Sequence, residues 1–212
     1  MIFGNYKTSS YDFEELMKSI LEVKDLQKSH LNYKQEEILG KGKDQSTEIH
    51  RKFYDYIDSD KEKFTELYKR FITDNIKPMF GEDLVYQKFP TFRAHFPKNV
   101  AVFAFHKDKD YNHPEQERNI YLPITDAWDT NTIWAETSED KGDFEPIDVE
   151  YGNFVVWNGS SLNHGSKTNT TGKTRISFDF RVIPLSEYDG SFTKKSISKS
   201  IDFTIGGYYE VI

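Results

Sequence analysis

Residues 157–184 read WNGSSLNHGSKTNTTGKTRISFDFRVIP, and their alternation of polar and apolar positions decides the class of fold. The pattern predicts a strand, a turn at NTTG and a second strand. A turn centred there places Ser166 opposite Arg175 and His164 opposite Ser177, with all four on one face of a hairpin. The opposite face carries core residues, namely Ile176, Phe178, Phe180 and Val182.

Five further runs upstream share this strand-like composition and are separated by loops containing Gly, Pro, Asn and Asp. They are LVYQKF (84–89), NVAVFAF (99–105), RNIYLPI (118–124), TIWAET (132–137) and GNFVVWN (152–158). Short strands that alternate with turn signals are typical of β-sandwiches and barrels. We therefore expect residues 85–212 to form a β-domain with a C-terminal extension.

Apolar residues at helical spacing predict three helices in residues 1–84. Their apolar faces comprise Phe13, Leu16, Met17, Ile20 and Leu21, then Ile49, Phe53, Tyr56 and Ile57, then Phe64, Leu67, Tyr68, Phe71 and Ile72. Ser59 and Glu62 have the spacing of a capping box, and the third helix is expected to end near Pro78. A Gly- and Lys-rich connector spans 39–46. These features predict an α+β fold, one structural domain with an N-terminal helical layer packed on the β-domain.

Composition excludes several classes of protein and site. The 212-residue chain has no Cys, which excludes disulfides and thiolate metal ligands. Its net charge is −7 and no Lys/Arg cluster interleaves with aromatic residues, so we expect no nucleic-acid partner. No apolar run approaches the roughly 20 residues that span a bilayer, and the N-terminus lacks the layout of a signal peptide. We expect a cytoplasmic protein with no membrane partner, and the sequence does not predict its oligomeric state.

The stretch FAFHKDKDYNH (103–113) holds two histidines and two aspartates just after an apolar run. If the run is a strand, His106 and Asp108 lie on one face with Cα atoms about 6.5 Å apart, which lets both side chains converge on one ion. H-x-D occurs by chance in many proteins, so the motif alone favours a polar loop closing an ordinary strand over a metal site. Asp110 and His113 are expected to be solvated residues of a loop over the site.

His164 turns this weak pair into a two-histidine, one-carboxylate set, which leaves coordination positions open on Fe(II). Arg175 on the same hairpin face would be costly without an anion, and a guanidinium group suits bidentate recognition of a carboxylate. The alternative for Arg175 is an internal ion pair with Asp179, and for Arg181 an ion pair is the preferred interpretation.

The order H-x-D…H…R, formed by His106, Asp108, His164 and Arg175, resembles the Fe(II)/2-oxoglutarate-dependent oxygenase superfamily. The H-G-S triplet at 164–166 is similar to the H-x-S of its phytanoyl-CoA dioxygenase-like branch. The segments PTFRAHFP, FHKDKDYNHP, NIYLPIT and NHGSKTNTTGKTRISFDFRV resemble the streptomycin-biosynthesis oxygenase-like group. The resemblance extends over roughly residues 85 to 184 and does not include the helical N-terminus.

The resemblance implies a double-stranded β-helix, a cupin-like jelly roll with the metal at one open end. The His–Asp–His set would hold Fe(II), the catalytic metal. Arg175, helped by Ser177 and Ser166, would bind the far carboxylate of the co-substrate 2-oxoglutarate. With O2 the enzyme would hydroxylate a polar small molecule and release succinate and CO2. Halogenases of this type usually lack the metal-binding carboxylate, so Asp108 favours hydroxylation.

Other polar residues are candidates for the mouth of the site. Asn119 and Tyr121 share one face of a predicted strand and would reach 2-oxoglutarate or substrate, although a surface Asn and a packed Tyr fit equally well. Arg93 stands between aromatic residues and would bind an anionic substrate group or pair with the helical layer. Three further candidate substrate contacts lie near a strand expected to cross the mouth: Asn131, Trp134 and Glu136.

Two other functions remain open at this point. A cupin-type metal isomerase or dioxygenase would not use 2-oxoglutarate, but cupins usually supply more histidines, and Arg175 has no role there. A non-enzymatic jelly-roll binding module is the other alternative. It would make the match of the His, Asp, His and Arg positions to the oxygenase motif a coincidence.

Overall fold

The computed structural model describes residues 1–34, 47–59, 61–101, 104–197 and 201–212, so the connector predicted at 39–46 lies outside the described residues. The helices of the described residues are α1 (Phe13–Leu21), α2 (Glu48–Ser59), α3 (Glu62–Phe71) and α4 (Lys77–Phe80), and a π-helical turn (Ile72–Ile76) joins the last two. The strands are β1 (Ile2–Asn5), β2 (Leu84–Gln87), β3 (Thr91–His95), β4 (Arg118–Pro123), β5 (Trp134–Glu136), β6 (Phe144–Pro146), β7 (Asn153–Trp157), β8 (His164–Gly165), β9 (Arg175–Pro184) and β10 (Tyr209–Val211).

The strands form two antiparallel sheets. The larger sheet has the order β1-β7-β4-β9-β2-β10, with β3 pairing to β9 beside β2. The smaller sheet has the order β6-β5-β8. The architecture is therefore mixed α and β with antiparallel sheets, and within the described residues no helix has the length and apolarity needed to cross a membrane.

The predicted helical layer covers one face of the larger sheet. Phe178 of β9 points to this side, and its ring centroid lies 6.1 Å from that of Phe13 in α1, 5.6 Å from Phe53 in α2 and 5.3 Å from Phe64 in α3. All four rings are fully buried or nearly so. Burying an aromatic side chain contributes on the order of 2 kcal/mol, so this cluster fixes the helices on the sheet.

The other face of the larger sheet is polar near β9 and apolar near β4 and β7. Because side chains alternate along a strand, Arg175, Ser177, Asp179 and Arg181 share this face. A second apolar cluster lies beside them between the two sheets and joins Tyr121, Val155 and Trp157 to residues around the smaller sheet, among them Ala127, Ile133, Ala135, Ile147 and Val149. The polar face of β9 therefore opens into a space between two sheets.

The hairpin predicted from residues 157–184 does not form. His164 pairs with Ala135 of β5, whereas Arg175 pairs with His95 and Ser177 with Arg93 in β3. The segment between β8 and β9 crosses from one sheet to the other. Asn169 holds this segment, because its side-chain amide donates to the carbonyl oxygen of His95. Each strand thus has a partner distant in sequence, which local turn signals do not reveal.

Several other expectations also require correction. The run predicted as a strand at 99–105 has no strand in its described residues, and Asp108 begins a 3₁₀ turn. The Ser59–Glu62 capping box is absent, because the Ser59 hydroxyl donates back to the carbonyl oxygen of Asp55. The helical segment continues past Pro78, which lies in the first turn of α4 directly after the π-helical turn. Residues 1–84 also supply β1, which pairs with β7, so this region is not helical throughout.

Candidate metal and co-substrate site

The backbones of His106 and His164 are tied together by two reciprocal hydrogen bonds. Each residue's N–H donates to the other's carbonyl oxygen at 2.9 Å, although the two lie far apart in sequence. The two ring centroids are consequently only 4.5 Å apart. Gly165 permits this approach, because a Cβ there would lie 3.1 Å from the Cα of Phe105. This isolated bridge replaces the predicted strand as the device that positions the first histidine.

Both histidines present the same ring nitrogen to the site. Nδ1 of His106 donates to the carbonyl oxygen of Ala104, and Nδ1 of His164 donates to that of Leu162, each at 2.9 Å. Since a carbonyl oxygen only accepts, these bonds place the proton on Nδ1 and leave the lone pair of Nε2 free. A backbone carbonyl that orients the far nitrogen is the usual support of a metal-binding histidine.

Asp108 completes the cluster with one of its two oxygens. Oδ1 lies 3.6 Å from Nε2 of His106 and 3.7 Å from Nε2 of His164. Oδ2 points the other way and accepts from Arg181 Nη2 at 2.8 Å, Arg181 Nε at 3.2 Å and Asn119 Nδ2 at 2.7 Å. Asp108 therefore has one oxygen occupied and the other directed at the two histidines.

The electrostatics favour ligand-ready protonation states. Burial pushes the pKa of Asp108 upward, but Arg181 together with the two histidines holds it well below its usual range. Burial lowers the pKa of His164, against the opposing effect of the Asp108 carboxylate. Asp108 is consequently ionised and His164 neutral at pH 7, which are the forms that bind metal ions.

Gly159 is needed for the support of Asp108. Its carbonyl oxygen accepts from the backbone N–H of Asp108 at 2.9 Å, and its own N–H donates to Oδ1 of Asn119 at 3.0 Å. A Cβ at residue 159 would lie only 2.6 Å from Nδ2 of Asn119. A side chain here would displace the amide that orients Asp108.

The three side chains fit a metal ion. His106, Asp108 and His164 each offer one ligand atom, and all three atoms lie within 4.8 Å of one another. Atoms that share an ion at about 2.1 Å from each stand roughly 3 to 3.5 Å apart, close to the observed separations. Two neutral imidazoles and one carboxylate are the ligand set of non-haem Fe(II) sites with open positions.

Arg175 lies in the same pocket and is almost completely buried, with 1% of its surface exposed. Nε donates to the carbonyl oxygen of Asn131 at 3.0 Å, and Nη1 donates to Oγ of Ser177 at 2.6 Å. Within the described residues no carboxylate pairs with this guanidinium, and Nη2 has no acceptor there. Asp179 is not its partner, because it pairs with Arg93 at 3.2 Å. Arg175 is thus a buried cation without a counter-charge from the described chain.

No family model matches the chain. The streptomycin biosynthesis protein StrG of Streptomyces griseus is 33% identical over 208 residues, which cover 98% of this chain and 96% of the relative. The chain belongs to the StrG family. The match includes the region of the His–Asp–His cluster and of Arg175, since it extends over almost the whole chain.

A solved structure shows that this chain shares its fold with a non-haem enzyme. The apo non-haem monooxygenase ThoJ superposes with a TM-score of 0.50 at 13% identity, covering 86% of this chain and 74% of ThoJ. CytC3 with Fe(II) and α-ketoglutarate matches at a TM-score of 0.44 and 14% identity, covering 86% of this chain and 72% of CytC3, and is too distant to support an argument.

The other predicted contacts of this StrG-family chain fall into two groups. Ser166 and Arg93 line the pocket with the cluster and Arg175, and Ser177 touches Arg175 directly. Asn119 also lines the pocket, but its amide is engaged by Asp108 and Gly159. As contacts of a co-substrate or substrate, these residues stay predictions.

Tyr121 and three candidate substrate residues stand behind the pocket lining. The ring of Tyr121 lies 5.8 Å from Cζ of Arg175, and its hydroxyl contacts Thr132 at 3.2 Å. The remaining side chains bond elsewhere: Asn131 to Trp128 N–H and Thr171, Trp134 to the carbonyl oxygen of Asp129, and Glu136 to the N–H groups of Gly142 and Asn163. Direct substrate contact by these residues also stays a prediction.

Two features of the site were missed from the sequence. His113, expected to be solvated, is buried and contacts Glu117 at 2.8 Å. Arg181 was expected in an ion pair, but nothing local indicated that its partner is the ligand Asp108, 73 residues away. The sequence did offer one signal for Arg181, namely strand alternation, which places Arg181 on the same face of β9 as Arg175.

Proposed function

We propose that this StrG-family protein is a non-haem Fe(II)- and 2-oxoglutarate-dependent oxygenase with a double-stranded β-helix core. It hydroxylates a polar small molecule, and 2-oxoglutarate leaves as succinate and CO2. Two opposed antiparallel sheets and the similarity in fold to a non-haem monooxygenase support this core. When bound, Fe(II) with 2-oxoglutarate supplies the oxidising chemistry that transfers oxygen from O2 to the substrate.

One observation carries the proposal: a buried arginine without a carboxylate partner in the described residues shares a pocket with three side chains that could each offer a ligand atom to one metal ion. A buried cation costs several kcal/mol unless an anion compensates it. The open nitrogen Nη2 of Arg175 faces a pocket that also holds the His–Asp–His set. A dianion that chelates the metal at one end and contacts Arg175 at the other would both complete the metal coordination and neutralise the buried guanidinium. A cupin-type enzyme that does not use 2-oxoglutarate leaves Arg175 without a role.

Different side chains of the pocket have different proposed roles. His106, Asp108 and His164 hold the metal, while Arg175 and Ser177 bind the far carboxylate through charge-assisted hydrogen bonds. Ile133 and Trp157 line the same pocket with apolar surface, and the edge of Trp157 packs against His164 at 4.7 Å between ring centroids. These side chains keep water from the site and strengthen its electrostatic contacts.

The substrate is proposed to be a polar small molecule for two reasons. The relative StrG is named for the biosynthesis of streptomycin, which is a small molecule. The pocket carries charged groups beyond those assigned above, Arg93 and Asp179, which suit hydrogen-bonding groups better than a hydrocarbon. We propose no macromolecular partner.

Turnover without substrate tests the proposal. Purified protein given Fe(II), ascorbate, 2-oxoglutarate and O2 is expected to form succinate slowly, in equal amount to the 2-oxoglutarate consumed. Asp108→Ala is expected to lower this rate by at least about 100-fold, since it removes a metal ligand. Asp110→Ala is the matched control, because Asp110 lies in the same stretch, is exposed, and accepts from the Lys107 N–H rather than facing the histidines. Wild-type protein that neither binds nor consumes 2-oxoglutarate would refute the proposal.

A further inference from the structure

A buried relay of side chains connects the ligand Asp108 to the C-terminal strand β10. Arg181 contacts Asp108 Oδ2 through Nη2 at 2.8 Å, and its Nε lies 3.6 Å from Oε2 of Glu117. The hydroxyl of Tyr209 in β10 donates to the other oxygen of Glu117. Glu117 and Tyr209 have no exposed surface. The relay therefore runs through largely buried side chains, of which Arg181, with 12% of its side chain exposed, is the most accessible.

Glu117 is the second carboxylate that contacts Arg181 in this relay. Arg181 stands between two buried carboxylates, and its third nitrogen, Nη1, donates to Oε1 of Gln87 at 3.4 Å. Glu117 also contacts Nδ1 of His113 at 2.8 Å, so both of its oxygens are occupied. Loss of Glu117 would remove one of the two carboxylates that contact Arg181, so Arg181 could move relative to Asp108.

The C-terminal segment holds Tyr209 in place. Tyr209 pairs with Gln87 where β10 joins β2. The strand pairing therefore fixes the backbone of the residue whose hydroxyl contacts Glu117. The ring of Tyr208 packs against Tyr209 at 5.0 Å, and that of Phe203 packs against His113 at 4.7 Å. The hydroxyl of Tyr209 is thereby fixed against Glu117 by packing on several sides.

We propose that Glu117 and Tyr209 are positioning residues for the metal ligand Asp108. β10 fixes Glu117 through Tyr209, Glu117 fixes Arg181, and Arg181 occupies Oδ2 so that Oδ1 alone faces the two histidines. The C-terminal strand thus sets the metal affinity of a site to which it contributes no ligand. This inference rests on the proposed function only in requiring that His106, Asp108 and His164 bind a metal ion.

Metal titration tests the inference without any turnover. Co(II) added to the metal-free full-length protein is followed by calorimetry and by its visible absorption. Supporting residues around a ligand typically change metal affinity by 10- to 100-fold. We expect Tyr209→Phe, which removes only the hydroxyl, to weaken Co(II) binding about tenfold, and Glu117→Gln to weaken it by about 10- to 100-fold. Both variants are also expected to change the Co(II) absorption spectrum, which a loss of stability alone would not do.

Tyr188→Phe is the matched control. Its ring lies 6.2 Å from that of Tyr209, and its hydroxyl accepts from the Ile205 N–H, outside the relay. Co(II) affinity within about twofold of wild type is expected for this variant. If Tyr209→Phe matches the control in affinity and spectrum, the inference is overturned while the metal site stands. If wild-type protein does not bind Co(II), the proposed function fails as well. Should Glu117→Gln not fold, the Tyr209→Phe comparison decides.

Discussion

Arg181 occupies one oxygen of Asp108 and leaves the other oxygen to the histidines. Its Nη2 and Nε lie 2.8 and 3.2 Å from Oδ2, whereas Oδ1 lies 3.6 and 3.7 Å from the two imidazole Nε2 atoms. Both nitrogens donate to the same oxygen, which also accepts from Asn119 Nδ2, so Oδ2 is held by three charge-assisted or amide hydrogen bonds and Oδ1 is left to the histidines.

Arg181→Lys tests this contact, because it keeps the charge and removes the planar pair of donors. We expect Ni(II) affinity of the metal-free protein to fall about tenfold. Calorimetric titration with Ni(II) measures the change. Arg118→Lys is the control, since Arg118 pairs with Glu187 at the surface. Equal Ni(II) affinity in both variants would show that Arg181 does not orient Asp108.

Arg175→Met is expected to abolish tight 2-oxoglutarate binding while leaving metal affinity intact. Truncating one partner of a buried charge-assisted pair costs about 2 to 4 kcal/mol, which corresponds to roughly 30- to 1000-fold weaker binding. Titration of the Ni(II)-loaded protein with 2-oxoglutarate, beside titration of the apo protein with Ni(II), separates the two effects. A parallel loss of metal binding would mean that Arg175 supports the fold of the site and not the co-substrate.

Gly159→Ala tests whether the backbone approach at Asn119 supports the ligand. The added Cβ would lie 2.6 Å from Asn119 Nδ2, so the amide must leave Asp108. We expect stability to fall by about 1 to 3 kcal/mol and metal affinity to fall severalfold. Urea unfolding and Co(II) titration measure these effects. Gly190→Ala is the control, because its Cβ would meet nothing closer than 3.8 Å, and an equal result for both glycines would contradict the account.

The buried His95 is expected to make the fold acid-sensitive. Burial, with a contribution from the nearby Arg175, lowers the pKa of His95 to about 4. The unfolded chain, with a pKa near 6.5, therefore binds a proton between about pH 6.5 and 4 that the folded chain does not bind. The stabilising effect is complete above about pH 6.5 and declines as the pH falls toward 4, by about 2 kcal/mol at pH 5.

His95→Gln should remove this share of the pH dependence. The free energy of unfolding in urea, measured at pH 7 and pH 5, is expected to drop by about 2 kcal/mol less in the variant than in wild type. The lower stability that the substitution itself causes at pH 7 does not enter this comparison. Identical drops in the two proteins would show that His95 does not titrate as a buried neutral group.

Strand alternation made the β9 and β4 sides of the site predictable, although not the positions of the three candidate metal ligands. The faces of β9 and β4 follow from sequence, since Ile176, Phe178 and Ile120 enter the helical core while Arg175 and Asn119 point to the pocket. The three longer helices could also be predicted, because apolar residues recur along each of them at helical spacing. Side-chain direction is a local property, and local patterns determine it.

Strand pairing could not be predicted in the same way. The NTTG turn suggested that β8 and β9 are partners, yet β8 joins β5 and β9 joins β3 and β4. Asn169 directs the crossing by bonding His95, which is 74 residues away. Likewise Arg181, Glu117 and Tyr209 reach Asp108 only through long-range packing. Register and long-range ion pairs depend on which surfaces meet, and no local signal encodes that.

A crystal of the Fe(II)-loaded protein, soaked with 2-oxoglutarate without O2, tests the central claim most directly. One anomalous iron peak is expected, about 2.0 to 2.2 Å from Nε2 of His106, Oδ1 of Asp108 and Nε2 of His164. Density for 2-oxoglutarate that ends in a carboxylate at Nη2 of Arg175 is also expected. Iron bound elsewhere, or 2-oxoglutarate density without contact to Arg175, would contradict this claim.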